Sequence, residues 1–375
     1  MERLWVKRAA LMAAGVLAAI LLAPPPLSVA YAQATSDAVN RGLVAVITGS
    51  VDSTSARTVQ DLAMALDDGS TRRVLPVIGK GTFQNLIDLR SLRGIDLAVV
   101  QSDVLDYGRT QSVAPGVESG FTYVTKLYTE EFHLLAGETI KSVNDLAGKT
   151  VGFAVGGDGT TITAQRLFDL LKIKVEPLQL DEARALQQLN SGQIAAFAYV
   201  GGKPVSTFSA LRGDGGLHFL AIPLTPPVLA RYVPARLAAE DYPGLVRSAE
   251  PVDTVAVTAV MLASNLTPGS QRYRNVANFV DAFFTQFAKL QEVGTPKWRE
   301  VNLAAELPGW RRFAPADAWL KRNVTPPGAP NEDQMREIFV KFLDERTKAT
   351  GQVMSTQQKE ELFDQFRRWQ SSQTR

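Results

Sequence analysis

The 375-residue sequence contains no cysteine. That excludes disulfides, a cysteine nucleophile, thiolate metal sites and a lipid anchor carried on a cysteine. Histidine occurs only at His133 and His218, so a histidine-rich zinc centre is excluded too. Nor is there an excess of either charge: 40 Lys+Arg stand against 38 Asp+Glu, a formal net charge of +2. No basic run interleaves with aromatics, and nucleic acid is therefore not an expected partner. The glycine-rich run Gly156-Gly157-Asp158-Gly159-Thr160-Thr161 has no lysine before its threonines and so lacks the phosphate-binding loop pattern. Its glycine spacing does not fit a dinucleotide-binding turn either. With no nucleophile–base pair and no metal cluster in view, neither an enzyme activity nor a cofactor is expected.

Long hydrophobic runs are equally scarce. The longest, residues 9–23, is short for a membrane span. Arg3, Lys7 and Arg8 precede it, Pro24-Pro25-Pro26 follows, and Ala30-Tyr31-Ala32 and Ala32-Gln33-Ala34 both offer small-x-small cleavage points. Residues 1–34 therefore read as a secretory signal peptide, and the protein as an exported, periplasmic one. Removal of that segment takes away three positive charges and one negative, leaving a chain of near-neutral charge.

The 375-residue chain is 45% hydrophobic, enough for two domains. Three strand–helix repeats are expected first: strands at 43–48, 73–78 and 96–100, with helices at 56–66 and 83–92. Residues 123–127 and 132–136 read as two further strands. A second set of repeats follows, with strands at 150–155, 175–178, 194–200 and 217–222 and helices at 160–171, 181–189 and 204–211. The β-rich run 254–262 re-enters the first set, followed by a long helix over 272–290. Helices are also expected at 331–346 and 357–369. Short connections between alternating elements imply parallel sheet. The predicted architecture is α/β: lobe 1 over 35–138, lobe 2 over 139–225, a return to lobe 1 through a hinge crossing over 226–290, and a helical C-terminal extension over 291–375. Two chain crossings make a hinge that permits closure on a ligand.

Open α/β sheets bind ligands at the carboxyl ends of their strands. The candidate site residues follow from that rule. Thr48, Ser50 and Ser53 end the first strand, and Arg57 could grip a carboxylate. Thr82, expected as a helix cap, and Asn85 follow the second strand, and Gln101, Ser102 and Asp103 end the third. Asp158, Gly159 and Thr160 form the turn before the helix over 160–171, where free backbone N–H groups seat a polar ligand. Tyr128 could close an apolar side, and Lys203 could pair with a carboxylate. His133, in a β-rich run, reads as a packed core residue.

Four blocks of sequence carry a resemblance. Gly79-Lys80-Gly81-Thr82-Phe83-Gln84-Asn85-Leu86, Asp96-Leu97-Ala98-Val99-Val100-Gln101-Ser102-Asp103, Leu127-Tyr128 with Glu130 and His133, and residues 142–160 resemble the TAXI class of TRAP-transporter solute-binding proteins. The resemblance covers roughly residues 43–265. It implies a type II periplasmic binding protein fold, capture of a small polar organic ligand (an organic acid or an amino-acid-like compound), and delivery to the membrane permease of an ion-driven transporter. A monomer is expected. The sequence departs from the family pattern after the first strand, where the tyrosine pair is absent, at Asp158, where the family has a small hydroxyl residue, and at Ala195, where it has an acid. A ligand carrying an amine, or no ligand at all, fits those departures. They also admit a second reading, a periplasmic sensor or adaptor that keeps the fold without serving transport.

Overall fold

A computed structural model of the chain describes residues 40, 42–110, 120–154, 158–212, 216–246 and 250–324, with isolated positions between 336 and 363. The chain divides into two units, residues 1–317 and 318–375.

The first unit is a mixed α/β structure around one ten-stranded sheet. It opens with three parallel strands, β1 (Leu43–Thr48), β2 (Arg73–Ile78) and β3 (Leu97–Gln101), in the order β2-β1-β3. Their connections are α1 (Thr54–Leu66) and α2 (Thr82–Ser91), and α3 (Ser102–Thr110) follows β3. Ser53 caps α1 by accepting the Ala56 N–H at 3.1 Å. β1 and β3 are almost wholly buried, as the near-continuous apolar runs of parallel strands require.

β4 (Phe121–Ala136) is a single strand of 16 residues, where two short strands are expected from the sequence. The polar run Tyr128 to Glu131 does not interrupt it, because β10 pairs with Thr129, Glu130 and Glu131 along one edge and β7 takes up the other edge from Glu131 onward. Its length, roughly 50 Å at about 3.3 Å per residue, lets it serve two sheets at once. β5 (Thr150–Ala154), β6 (Glu176–Leu180) and β7 (Ala196–Gly201) form a second parallel set, linked by α4 (Asp158–Leu171) and α5 (Glu182–Asn190). The chain then runs through α6 (Ser206–Ser209), β8 (His218–Phe219), α7 (Pro226–Leu229) and β9 (Val233–Leu237). α6 and β8 are shorter than expected, and β9 is unexpected. The other long strand, β10 (Val252–Ser264), returns antiparallel to β4 along most of its length.

The partners of these two strands change midway. β4 pairs with β7 over Glu131–Ala136. β10 pairs with β9 over Val252–Ala256 and with β3 over Ala259–Ala263. Among the described residues, only β4 and β10 pass between the halves of the sheet. Their opposite ends also enter different cores. Phe121, Tyr123, Val260 and Leu262 pack with Ile47, Leu86, Val100 and Leu105. Phe132, Leu134, Val255 and Val257 pack with Phe153, Leu167 and Phe168. A third cluster on the second half surrounds the aromatic residues Phe197, Phe208, Phe219 and Tyr242. His133 lies in that cluster, fully buried, with Nε2 2.7 Å from the Tyr242 hydroxyl.

The expected helix over 272–290 is two helices, α8 (Gln271–Thr285) and α9 (Phe287–Val293), which break at Gln286. Phe279, Phe283 and Phe284 are buried on α8. A 3₁₀ turn, Pro296–Glu300, then runs back against β4. Trp298 is fully buried and donates its indole N–H to Asp61 of α1 at 2.8 Å. Lys297 reaches Glu131 with Nζ 2.9 and 3.1 Å from the two carboxylate oxygens. α10 (Ala314–Asn323) ends the continuous description. In the second unit the Arg336 guanidinium lies 5.2 Å from the centre of the Phe363 ring, and Phe339 packs on the same ring. The helices expected over 331–346 and 357–369 otherwise lie outside the described residues.

The Lys297–Glu131 pair is among the most buried ionic contacts, with side chains 6% and 3% exposed. Removing one partner of such a pair strands a charge, while removing both does not. Lys297→Met should lower the unfolding free energy by about 3–5 kcal/mol in urea titrations. The double variant Glu131→Gln/Lys297→Met should recover at least half of that loss.

Candidate functional site

The site lies where β4 and β10 change partners. Glu130 pairs with Val257 and Thr129 with Thr258, and a register irregularity follows between Thr258 and Val260. Consecutive side chains on a strand point to opposite faces. Glu131 therefore faces Lys297, whereas Glu130 faces a cavity of about 80 Å³. Gly49, Ser50, Ser53, Thr54 and Ser55 come to its wall from the β1–α1 turn. Gly81 and Thr82 come from the start of α2, and Gln101 from the end of β3. The second half of the sheet supplies Thr160 of α4, Glu182 of α5, and Tyr199 and Gly201 of β7. Two wider hollows, of 530 and 410 Å³, lie at the far end of β4 around Gly137 and His218.

Polar groups converge here because several helices start at the wall. α1 begins under the serines, with the Gly49 N–H donating to Ser55 Oγ at 2.9 Å. α2 begins at Thr82 with Gly81 as its cap residue and no side-chain cap. Thr82 is therefore the first helical residue and not the expected cap. α4 begins at Asp158, two residues earlier than expected. The positive ends of three helix dipoles thus meet at one place.

The acid at the centre is held by one amide. Gln101 Nε2 donates to Glu130 Oε2 at 2.6 Å, and Gln101 Oε1 is buried with no partner. Burial drives the Glu130 carboxyl up to about 7, against the Gln101 hydrogen bond and the charge of Lys297, which pull it down. Glu182 accepts the Thr207 hydroxyl. Among the described residues lining the cavity there is no lysine and no arginine.

The two halves touch across the site. The Gly202 N–H donates to Thr54 Oγ1 at 3.1 Å. Thr163 of α4 donates to Asp103 Oδ2 at 2.6 Å, and Arg166 donates to the Asp103 carbonyl at 3.0 Å. Gly159 stands so close to Gln101 that an added Cβ would lie 1.9 Å from Oε1.

Of the residues expected at the site, Ser50, Ser53, Thr82, Gln101 and Thr160 line the cavity and Gly159 abuts it. The others are placed elsewhere. Thr48 is buried and donates to the Val77 carbonyl, and Asn85 donates to the Thr48 carbonyl at 2.8 Å, so both brace the β1–β2 end. Ser102 Oγ accepts the Thr258 N–H, and Asp103 bonds α4 instead of facing the cavity. Arg57 turns to the Asp52 carbonyl. Tyr128 is buried under the strand crossing against the Thr58 hydroxyl. Lys203 pairs with Asp241 at 2.8 Å and with the Arg236 carbonyl, so its cation is already engaged. Asp158 opens α4, with its side chain outside the described residues.

Thr54, Ser55, Glu130, Glu182 and Tyr199 are cavity residues that the sequence reading did not select. Glu130 had a usable signal. Two adjacent carboxylates in a buried strand must face opposite sides, and both need a reason to be there.

Residues 67–299 match the NMT1-like family. The chain belongs to that family. Among solved structures it is similar to the periplasmic binding protein BugD, at 14% identity and a TM-score of 0.45, over 70% of this chain and 88% of that one. It is also similar to the alkanesulfonate-binding protein SsuA from Xanthomonas axonopodis pv. citri bound to MOPS, at 17% identity and 0.40, over 81% and 93%. A third likeness is to the amino acid ABC transporter substrate-binding protein AbpA from Streptococcus pneumoniae bound to L-arginine, at 16% and 0.38, over 69% and 95%. Likeness at that level says nothing of what the present chain binds.

The acid at the site burdens the fold in a pH-dependent way. Glu130 titrates near 4.5 when unfolded and near 7 when folded, so between those values the folded chain holds a proton that the unfolded chain has lost. Stability therefore falls as pH rises through this window, and the penalty is complete above about 7. Asp103, raised to about 6 by burial, adds to the same trend. His133, depressed to about 3 by burial, acts in the opposite direction between about 3 and 6.5. Glu130→Gln keeps the shape and removes the Glu130 contribution. It should stabilise the protein by roughly 1–3 kcal/mol at pH 8 and by much less at pH 5, as measured by thermal unfolding at both pH values.

Proposed function

We propose that this chain is an exported solute-binding protein that captures a small polar organic ligand by closing two lobes, and releases it to a membrane permease without chemical turnover. The observation that carries this reading is the position of the cavity. It is walled by helix starts from both halves of the sheet, at the point where, among the described residues, β4 and β10 alone connect two separate cores. Two strands with independent cores on either side make a hinge of low bending cost, and a ligand between them favours the closed state by its differential contacts. Lobe 1 then comprises the β1–β3 half and lobe 2 the β5–β7 half, with β9 belonging to the second.

In this reading the permease is of the TRAP type and the chain its TAXI-class subunit, on the strength of the four sequence blocks around residues 79–86, 96–103, 127–133 and 142–160. Residues 1–34 serve as the export signal and direct the mature chain to the periplasm. The protein acts as a monomer. The test is calorimetric titration with small organic acids, amines and amino acids, together with small-angle X-ray scattering. Saturable one-to-one binding with a smaller radius of gyration is expected. Absence of binding by every compound would overturn the reading.

Gly159 offers a variant that acts on closure. A methyl group there would press on Gln101 Oε1 and come within 3.2 Å of Thr82 Oγ1, across the gap between the halves. Gly159→Ala should weaken ligand binding about tenfold or more, equivalent to about 1.4 kcal/mol, and keep the ligand-bound protein at its ligand-free radius of gyration. Thermal stability without ligand should change little.

A further inference from the structure

We infer that the cavity selects ligands bearing a primary ammonium group, seated between the Glu130 carboxylate and the unpartnered Gln101 Oε1. This rests on the solute-binding reading above and names the ligand chemistry of that site.

Gln101 uses its amide N–H to hold Glu130, at 2.6 Å, which leaves its carbonyl oxygen as an acceptor. That residue is 6% exposed, and its Oε1 is buried without a donor. A buried acceptor left unmet is costly, and natural structures supply a partner from protein, water or ligand. Glu130, 7% exposed, is a second acceptor on the same wall. Two acceptors joined by one hydrogen bond define a place for a donor that carries positive charge and several N–H groups.

The charges on either side of β4 point the same way. Lys297, which satisfies the neighbouring Glu131 on the opposite face of the strand, is already bonded to that residue and to Glu300. No lysine or arginine among the described residues lines the cavity, whereas Glu182 adds another carboxyl to its wall. A ligand with carboxylates alone would place like charges together in a small desolvated space. An ammonium group would meet Glu130 with opposite charge. The elevated proton affinity that burial imposes on Glu130 marks the same need, since a bound cation relieves it as a proton does.

The chemistry could come from two sources, a simple amine or a zwitterionic amino acid. The starts of α1, α2 and α4 at the wall can receive one carboxylate, which gives the zwitterion a place for its negative end. Both share the ammonium contact.

The experiment uses the chain freed of residues 1–34 and calorimetry at pH 7.5, with matched pairs: ethylamine with ethanol, putrescine with 1,4-butanediol, L-alanine with propionate, and L-aspartate with succinate. Each amine-bearing member that binds should do so at least tenfold more tightly than its deaminated partner. Glu130→Gln should abolish that ratio, with its folding verified by circular dichroism and thermal unfolding. Binding of ethylamine or putrescine identifies a simple amine, and binding of the amino acids alone a zwitterion; either supports the inference. Equal or tighter binding of propionate or succinate would overturn it and leave the solute-binding reading standing. An unchanged ratio in Glu130→Gln would overturn it as well. No binding by any compound, those of the broader organic panel included, would overturn both.

Discussion

The antiparallel pairing of β4 with β10 is the constraint on which the rest of the molecule depends. Each strand is long enough to belong to two half-sheets, and each exchanges its second neighbour midway. Side chains from their opposite ends enter different apolar clusters. Any rearrangement between the halves must therefore pass through the short stretch around Thr129–Glu131 and Val257–Thr258. Carboxyl ends of parallel strands from both halves point toward this stretch, and their following helices start there, which is where open α/β sheets present binding groups.

The alternation of side chains along β4 then separates two tasks carried by neighbouring residues of one type. Glu131 is turned toward Lys297 and the Lys203 N–H, and fastens the segment after α9 to the strand crossing. Glu130 is turned the other way, into the cavity, where the Gln101 amide holds it. The first carboxylate is compensated by the protein itself. The second faces a cavity with no lysine or arginine among its described lining residues, and burial raises its proton affinity.

Much of the fold was legible in the sequence. Leu43–Thr48 and Arg73–Ile78 coincide with the expected strands, Ser53 and Asp181 cap the expected helices, and the run over 254–262 does return to pair with β3. These signals are local: apolar runs of strand length and capping residues at fixed offsets. The misplaced elements fail where local pattern is overridden by contact. Tyr128 to Glu131 looks like a break because it is polar, yet pairing with β10 across Thr129, Glu130 and Glu131 keeps it extended. Residues 217–222 look like a full strand, yet the ladder with β4 covers only His218–Phe219; the Leu220 N–H still reaches the Leu134 carbonyl, but that of Ile222 turns to the Asp253 carbonyl of β10.

At the site the division is sharper. The sequence by itself determined that hydroxyls and an amide at Ser50, Ser53, Thr82, Gln101 and Thr160 would end strands or open helices, because those positions follow from chain order alone. Only the tertiary structure decided which polar side chains remain free to face a cavity. Lys203 is taken by Asp241, Asp103 by Thr163, Asn85 by the Thr48 carbonyl, and Arg57 by the Asp52 carbonyl. Only the structure, too, distinguished Glu130 from Glu131. The physical reason is that a residue's availability depends on partners brought from distant parts of the chain, and adjacent positions on a strand meet opposite surroundings.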